Sequence, residues 1–188
     1  MRHSRKKLNG FSLGEVLLSV AVLTVGILPV MSAMVGGFRS SLESRDIIVA
    51  SGLAQEGTEL VKNVKDNNVL AGNETLQSWL PETGSSWNNC RIDTDDPVFT
   101  PGENITCGTA SFGLSMQSSG VLGHGSGGKF NRKIFLSYEG SGSEERVVCV
   151  SAVYWGNFVP SDMDEVRSGC RAAHECVYAE SVLTPWGS

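Results

Sequence analysis

The hydrophobic and polar positions divide the chain into three regimes. Between Glu15 and Arg39 lie 23 residues without a formal charge, 16–38, which as a helix reach about 34 Å. That length crosses a bilayer. Apolar backbone in hydrocarbon must satisfy its own hydrogen bonds, so the run predicts a membrane helix or a helix surrounded by other protein. Beyond Arg39, residues 43–66 (ESRDIIVASGLAQEGTELVKNVKD) place Ile47, Ala50, Leu53 or Ala54, Gly57, Leu60 or Val61, and Val64 at helical spacing. Glu56, Glu59, Lys62, Lys65 and Asp66 fall on the complementary face, and Asn67-Asn68 supply a stop. The first helix thus continues as an amphipathic one.

From 69 to 128 the periodicity is poor, and Gly, Ser, Asn, Pro and Thr recur. Trp79, Leu80, Trp87 and Phe99 are its candidate core anchors. After the glycine-rich GHGSGG, strand patterns return at 133–138 (KIFLSY), 146–155 (RVVCVSAVYW) and 175–183 (ECVYAESVL). Three antiparallel strands laid on the outer part of a long helix would bury one sheet face and one helix stripe together. The expected fold class is therefore α+β: a long N-terminal α-helix, its hydrophobic half protruding, packed against a C-terminal antiparallel β-sheet.

Charge sharpens this reading. The leader MRHSRKKLNG carries Arg2, Arg5, Lys6 and Lys7 and no acid, which holds that end in the cytoplasm and places the rest outside. Basic leader and apolar run also describe a secretory signal peptide, but such a peptide is cut after the run at a small-x-small site. Ser32-Ala33-Met34 and Met34-Val35-Gly36 are poor sites, and the more distinctive junction precedes the run.

That junction, Gly10-Phe11-Ser12-Leu13-Gly14-Glu15, resembles the type IV prepilin signature, and VAVLTVGILPV is similar to the PilV-like branch of minor pilins. The resemblance covers about the first forty residues. It implies cleavage by a prepilin peptidase between Gly10 and Phe11, N-methylation of Phe11, and storage of the helix in the inner membrane. An assembly platform with its ATPase would then move the chain into a surface filament of pilin subunits. Gly10 lacks a side chain, which suits close approach of a protease to the backbone. Glu15 is a carboxylate inside an apolar helix, where an unpaired charge costs several kcal/mol. The resemblance supplies its partner, the Phe11 α-amine of a neighbouring subunit, and so an axial register. Two positions depart from the pattern. Gly14 stands where a bulky aliphatic is usual, and the helix-breaking Pro29, with Gly26 beside it, comes a few residues early, marking a place for local melting or a kink.

The segments are then a cleaved leader (1–10), a membrane and filament-core helix (11–38), its amphipathic continuation (39–68), a loop-rich variable region (69–128) and a sheet region (129–188). Removing the leader's four cations takes the formal charge from −5 to −9. An acidic outer domain lacks the cationic clusters that bind phosphate backbones, so no direct nucleic-acid partner is expected.

Five cysteines, Cys90, Cys107, Cys149, Cys170 and Cys176, lie beyond the apolar run, in an exported compartment. Cys149 among valines reads as a buried thiol, which favours pairing Cys90 with Cys107 and Cys170 with Cys176, although spacing does not determine connectivity. Metal binding by Cys170, His174 and Cys176 is the rival, without a usual zinc spacing. Asp93, Asp95 and Asp96, near Glu103, are a Ca²⁺ candidate that lacks the EF-hand glycine and glutamate. Asn73 and Asn104 match the short glycosylation pattern. No phosphate-binding loop, nucleophile elbow or histidine-containing triad is present, and no cofactor is expected. The function expected is a non-enzymatic pilus subunit for adhesion or motility. The alternatives are a pseudopilin of a type II secretion or competence system, and a membrane-tethered ligand-binding module.

Overall fold

In the computed structural model the described residues are 12–72, 75, 80, 86–92, 105–108, 111–116, 122–125, 127–141 and 144–185. The chain divides into two units, Met1–Arg45 and Asp46–Ser188. One helix, α1 (Leu13–Leu70), runs through the boundary. Its end lies two residues past the Asn67-Asn68 stop; Asn68 is buried there, with its Nδ2 donating to the Val64 carbonyl at 2.8 Å.

In the second unit the buried stripe of α1 is Ala50, Leu53, Ala54, Gly57, Thr58, Val61, Val64, Lys65 and Asn68. Small residues dominate the first half of this stripe, and they let the backbone approach a sheet. That sheet has five antiparallel strands in the order β2-β1-β5-β6-β7. They are β1 (Ser86–Ile92), β2 (Ile105–Cys107), β5 (Asn131–Glu139), β6 (Arg146–Tyr154) and β7 (Cys176–Leu183). A separate two-stranded sheet pairs β3 (Leu114–Met116) with β4 (Leu122–His124). The class is α+β as expected, with the last three strands near their expected limits.

Three expectations need correction. The loop-rich region supplies two strands of the main sheet. In β1 the register shifts between Trp87 and Cys90, and Asn89 takes a positive φ of 58°. An irregular strand of this kind has no period-2 pattern to read. Lys65, placed from its spacing on the solvent face, is buried, with its Nζ donating to the Thr184 carbonyl at 3.2 Å. Finally, the sheet buries both faces rather than one. On the α1 side Val61 and Val64 meet Cys90, Ile92, Ile134, Leu136, Val147 and Cys149. Opposite, Phe135, Val148, Val150, Ala152 and Tyr154 pack under Val166 of a short helix, α2 (Met163–Gly169). Hence every residue of β6 after Arg146 is buried, which is why RVVCVSAVY is a continuous apolar run rather than an alternation.

The seam between α1 and the sheet is tightest at Gly57. A Cβ there would lie 2.1 Å from Ser151 Oγ and 3.0 Å from Arg132 Cδ. Arg132, 1% exposed, runs beneath the helix, where its guanidinium donates to the Leu53 carbonyl at 3.3 Å and faces Glu56 at 3.6 Å. Lys129 pairs with Asp46 one turn and more before the seam. Gly52, by contrast, faces open space.

Glycine to alanine therefore has opposite consequences at two sites five residues apart. Gly52→Ala is expected to stabilise the fold by up to about 1 kcal/mol through helix propensity. Gly57→Ala is expected to destabilise by about 1–3 kcal/mol through overpacking, with recovery when Ser151→Gly is added. Denaturant midpoints of the four variants check this, and an unchanged midpoint for Gly57→Ala would refute the close seam.

Candidate functional site

Of the residues singled out from the sequence, Gly10, Phe11, Glu15, Gly26 and Pro29 belong to the first unit. Residues 12–45 are exposed without exception, among them Leu17, Leu18, Val22, Leu23, Val25, Leu28, Met31 and Phe38, each more than half exposed. α1 is long and apolar enough to cross a membrane. Water is a poor surrounding for such a surface, at roughly 25 cal/mol per Å² of apolar area, so lipid or other protein must cover it.

Local chemistry fits that covering. Ser19 Oγ donates to the Glu15 carbonyl, Thr24 Oγ1 to the Ala21 carbonyl and Ser44 Oγ to the Ser40 carbonyl, at 2.7–2.9 Å. Each hydroxyl is thus satisfied within the helix. Glu15 stands in the first turn, where the helix dipole favours a carboxylate, and Ser12 accepts the Glu15 and Val16 amides at 3.0 and 3.2 Å. Gly26 and Pro29 both lie inside α1, which continues through them. Pro29 contributes no amide, so it cannot donate to the carbonyl four residues earlier. Gly10 and Phe11 lie outside the described residues, as do Asp93, Asp95, Asp96, Glu103, Trp79, Phe99, Asn73 and Asn104.

In the second unit Cys90 is bonded to Cys107 and Cys170 to Cys176, the pairs favoured from the sequence. Cys149 is free and buried. Burial, with the Glu180 charge adding to it, pushes its thiol up to about 12, so the nucleophilic thiolate is suppressed. The disulfide consumes both sulfurs of the Cys170, His174 and Cys176 constellation, which removes the thiolate metal site. His174 Nδ1 instead lies 2.7 Å from the Gly169 carbonyl. Among the described residues no group of three metal-ligating side chains is present.

The outer face of the sheet carries features that the sequence reading missed. Asp162 caps α2 by accepting the Glu165 amide at 2.8 Å, while the Glu165 carboxylate accepts the Ser161 amide at 2.8 Å and hydroxyl at 2.6 Å. The signal was legible, since Asp162 followed three residues later by Glu165 is an N-terminal capping pattern. Arg167 then grips Glu180 of β7 with two hydrogen bonds, at 2.7 and 3.2 Å. Lys133 is buried beneath the preceding segment. Its Nζ donates to the Pro160 carbonyl at 2.9 Å and sits 4.9 Å from the Phe112 ring centre, and desolvation lowers its pKa despite Glu165 nearby. A small open cavity of about 230 Å³ lies between Asn88, Ser137 and Glu139 of the sheet and Asp162, Met163, Asp164 and Arg167 of α2.

Comparisons with family models, with curated proteins and with solved structures give no match for this chain.

The Ser161 hydrogen bonds hold the Glu165 carboxyl below the ordinary glutamate range. A carboxylate whose folded pKa is depressed contributes stability that is complete above its unfolded value, about 4.3, and is lost as pH falls through the folded value. The wild-type chain should therefore lose more stability than Glu165→Gln between about pH 5 and pH 3. Parallel denaturation curves across that interval decide it, and identical losses would sink the cap.

Proposed function

We propose that this chain is a non-enzymatic structural subunit of a filament of the type IV pilus class. One observation carries the reading. A helix of 23 uncharged residues, exposed along its whole length and led by a single carboxylate, follows the junction Gly10-Phe11 in the pattern GFSLGE.

The mechanism is assembly. A prepilin peptidase cuts between Gly10 and Phe11 and methylates the new N-terminus. The helix waits in the inner membrane with the second unit outside, and an ATPase-driven platform then lifts it among helices of other subunits. Moving an apolar helix from lipid to a helix bundle changes its hydrophobic burial little, so packing decides the bundle and extraction needs external work. Glu15 becomes the exception to that neutrality. Once lipid headgroups and water are gone, its charge requires a cation, and the resemblance to prepilins supplies one in the Phe11 amine of a neighbouring subunit. Sliding by one helical turn, 5.4 Å, would leave both charges unpaired in a low-dielectric core. The acidic second unit faces outward, where like charge keeps the surface soluble.

The N-terminal mass of the native protein tests this directly. A chain beginning at Phe11 and carrying one added methyl group is expected; a native chain that retains Met1 would point to a plain membrane anchor and overturn the proposal. Glu15→Val is expected to be cleaved normally and to enter filaments poorly. Sheared-filament yield measures that, and wild-type yield would remove the register role of Glu15.

A further inference from the structure

β7 closes one side of the five-stranded sheet, and no strand lies beyond it among the described residues. Exposed edges invite pairing with another chain, and folded proteins blunt them with charges, proline, a bulge, a short strand or a covering loop. In β7 the turn before it covers the start, where the Cys176 amide donates to the Arg171 carbonyl at 3.2 Å, and the one charge, Glu180, is held by Arg167. The strand is eight residues long (CVYAESVL), contains no lysine or proline, and keeps an unbroken register with β6 from Val147↔Leu183 to Tyr154↔Cys176. The opposite edge, β2, has three residues. The outer face of β7 also leaves Tyr178 39% and Val182 54% exposed, with Glu180 between them.

We propose that β7 pairs antiparallel with β7 of a second copy of this chain, in the register that sets Glu180 opposite Glu180 on a two-fold axis. Opposed residues must project to the same face, so the axis has to pass through a residue rather than between two. With Glu180 on the axis, Tyr178 meets Val182 of the second copy twice, Val177 meets Leu183 twice, and Ala179 meets Ser181 twice. Aromatic against β-branched is a favourable cross-strand pair. Neighbouring registers lose it. An axis at Ala179 sets Tyr178 against Glu180, and one at Ser181 sets Glu180 against Val182. The chosen register brings two like charges together, and the structure already holds the countercharge. Each Glu180 is gripped through both oxygens by Arg167 of its own copy, so the four groups at the axis are neutral in sum.

Symmetry tells what this contact is for. A two-fold contact closes on itself and does not propagate a polar polymer. The β7 pair therefore joins two filaments side by side, or two unassembled subunits, and stands apart from the contacts of the N-terminal helix.

Cysteine cross-linking of the full chain in detergent micelles tests it. Directly opposed Cβ atoms lie within reach of a disulfide, so Glu180→Cys is expected to give a covalent dimer on mild oxidation. Tyr178→Cys alone is expected to give little. A mixture of Tyr178→Cys and Val182→Cys chains is expected to cross-link to each other, which tests the register with Glu180 intact. Adding Val182→Lys to Glu180→Cys should abolish the dimer. The cross-link should persist in a Glu15→Val background, which separates this contact from filament assembly. Absence of both the Glu180→Cys dimer and the mixed dimer, equal dimer from Tyr178→Cys alone, or loss of the cross-link with Glu15→Val would overturn the pairing.

Discussion

Everything in this chain is constrained by the need of one helix to satisfy its backbone in two surroundings. An α-helix closes its hydrogen bonds within itself, which makes it the one element that can leave water without stranding polar groups. Over residues 46–70 α1 has a sheet to bury its apolar stripe, and over 13–45 every residue is exposed. The hydroxyls of Ser19, Thr24 and Ser44 fold back onto carbonyls in this second stretch, so these three side chains follow the same rule as the backbone. Within 13–38 Glu15 is the one formal charge, and the helix supplies no cation beside it there.

The second unit solves a different problem, that of holding a sheet against a helix with little room for error. Gly57 lets α1 settle onto Ser151, and Arg132 fills the space beneath with a side chain whose charge is met by the Leu53 carbonyl and Glu56. A buried guanidinium is costly unless partnered, so it penalises any other placement of the helix. Behind the sheet, α2 covers what α1 does not. The Cys170–Cys176 disulfide and the Arg167–Glu180 pair attach it to β7. β6, covered from both sides, is the centre of this unit.

The two contacts proposed for these parts have opposite symmetry. A helix that packs among staggered copies makes a heterologous contact and can extend without limit, whereas a β7 edge that meets its own image makes a closed one. A subunit with both would build lines through the first and tie lines together through the second. The two depend on different chemistry, a lone acid in a low-dielectric core against backbone hydrogen bonds at a solvated edge.

The first half of this protein was legible in its residues and much of the second was not, for a physical reason. Length, apolarity and the isolated Glu15 declare the exposed helix because helical order is local; the stripe from Ala50 to Val64 and the three C-terminal strands declare themselves through periodicity. The pairing of Cys90 with Cys107 and of Cys170 with Cys176 was favoured only by setting Cys149 aside as a buried strand residue. What tertiary structure alone decided is whatever depends on a neighbour distant in the chain. Lys65 looks solvent-facing until the Thr184 carbonyl arrives to accept its hydrogen bond, the burial of Arg132 depends on α1 lying over it, and the need for glycine at 57 depends on Ser151, 2.1 Å from where a Cβ would be. β1 hid because its bulge breaks alternation, and the burial of both sheet faces hid because α2 is only seven residues long. Patterns report the environment a segment has by itself, and these residues acquire theirs only when the chain closes on them.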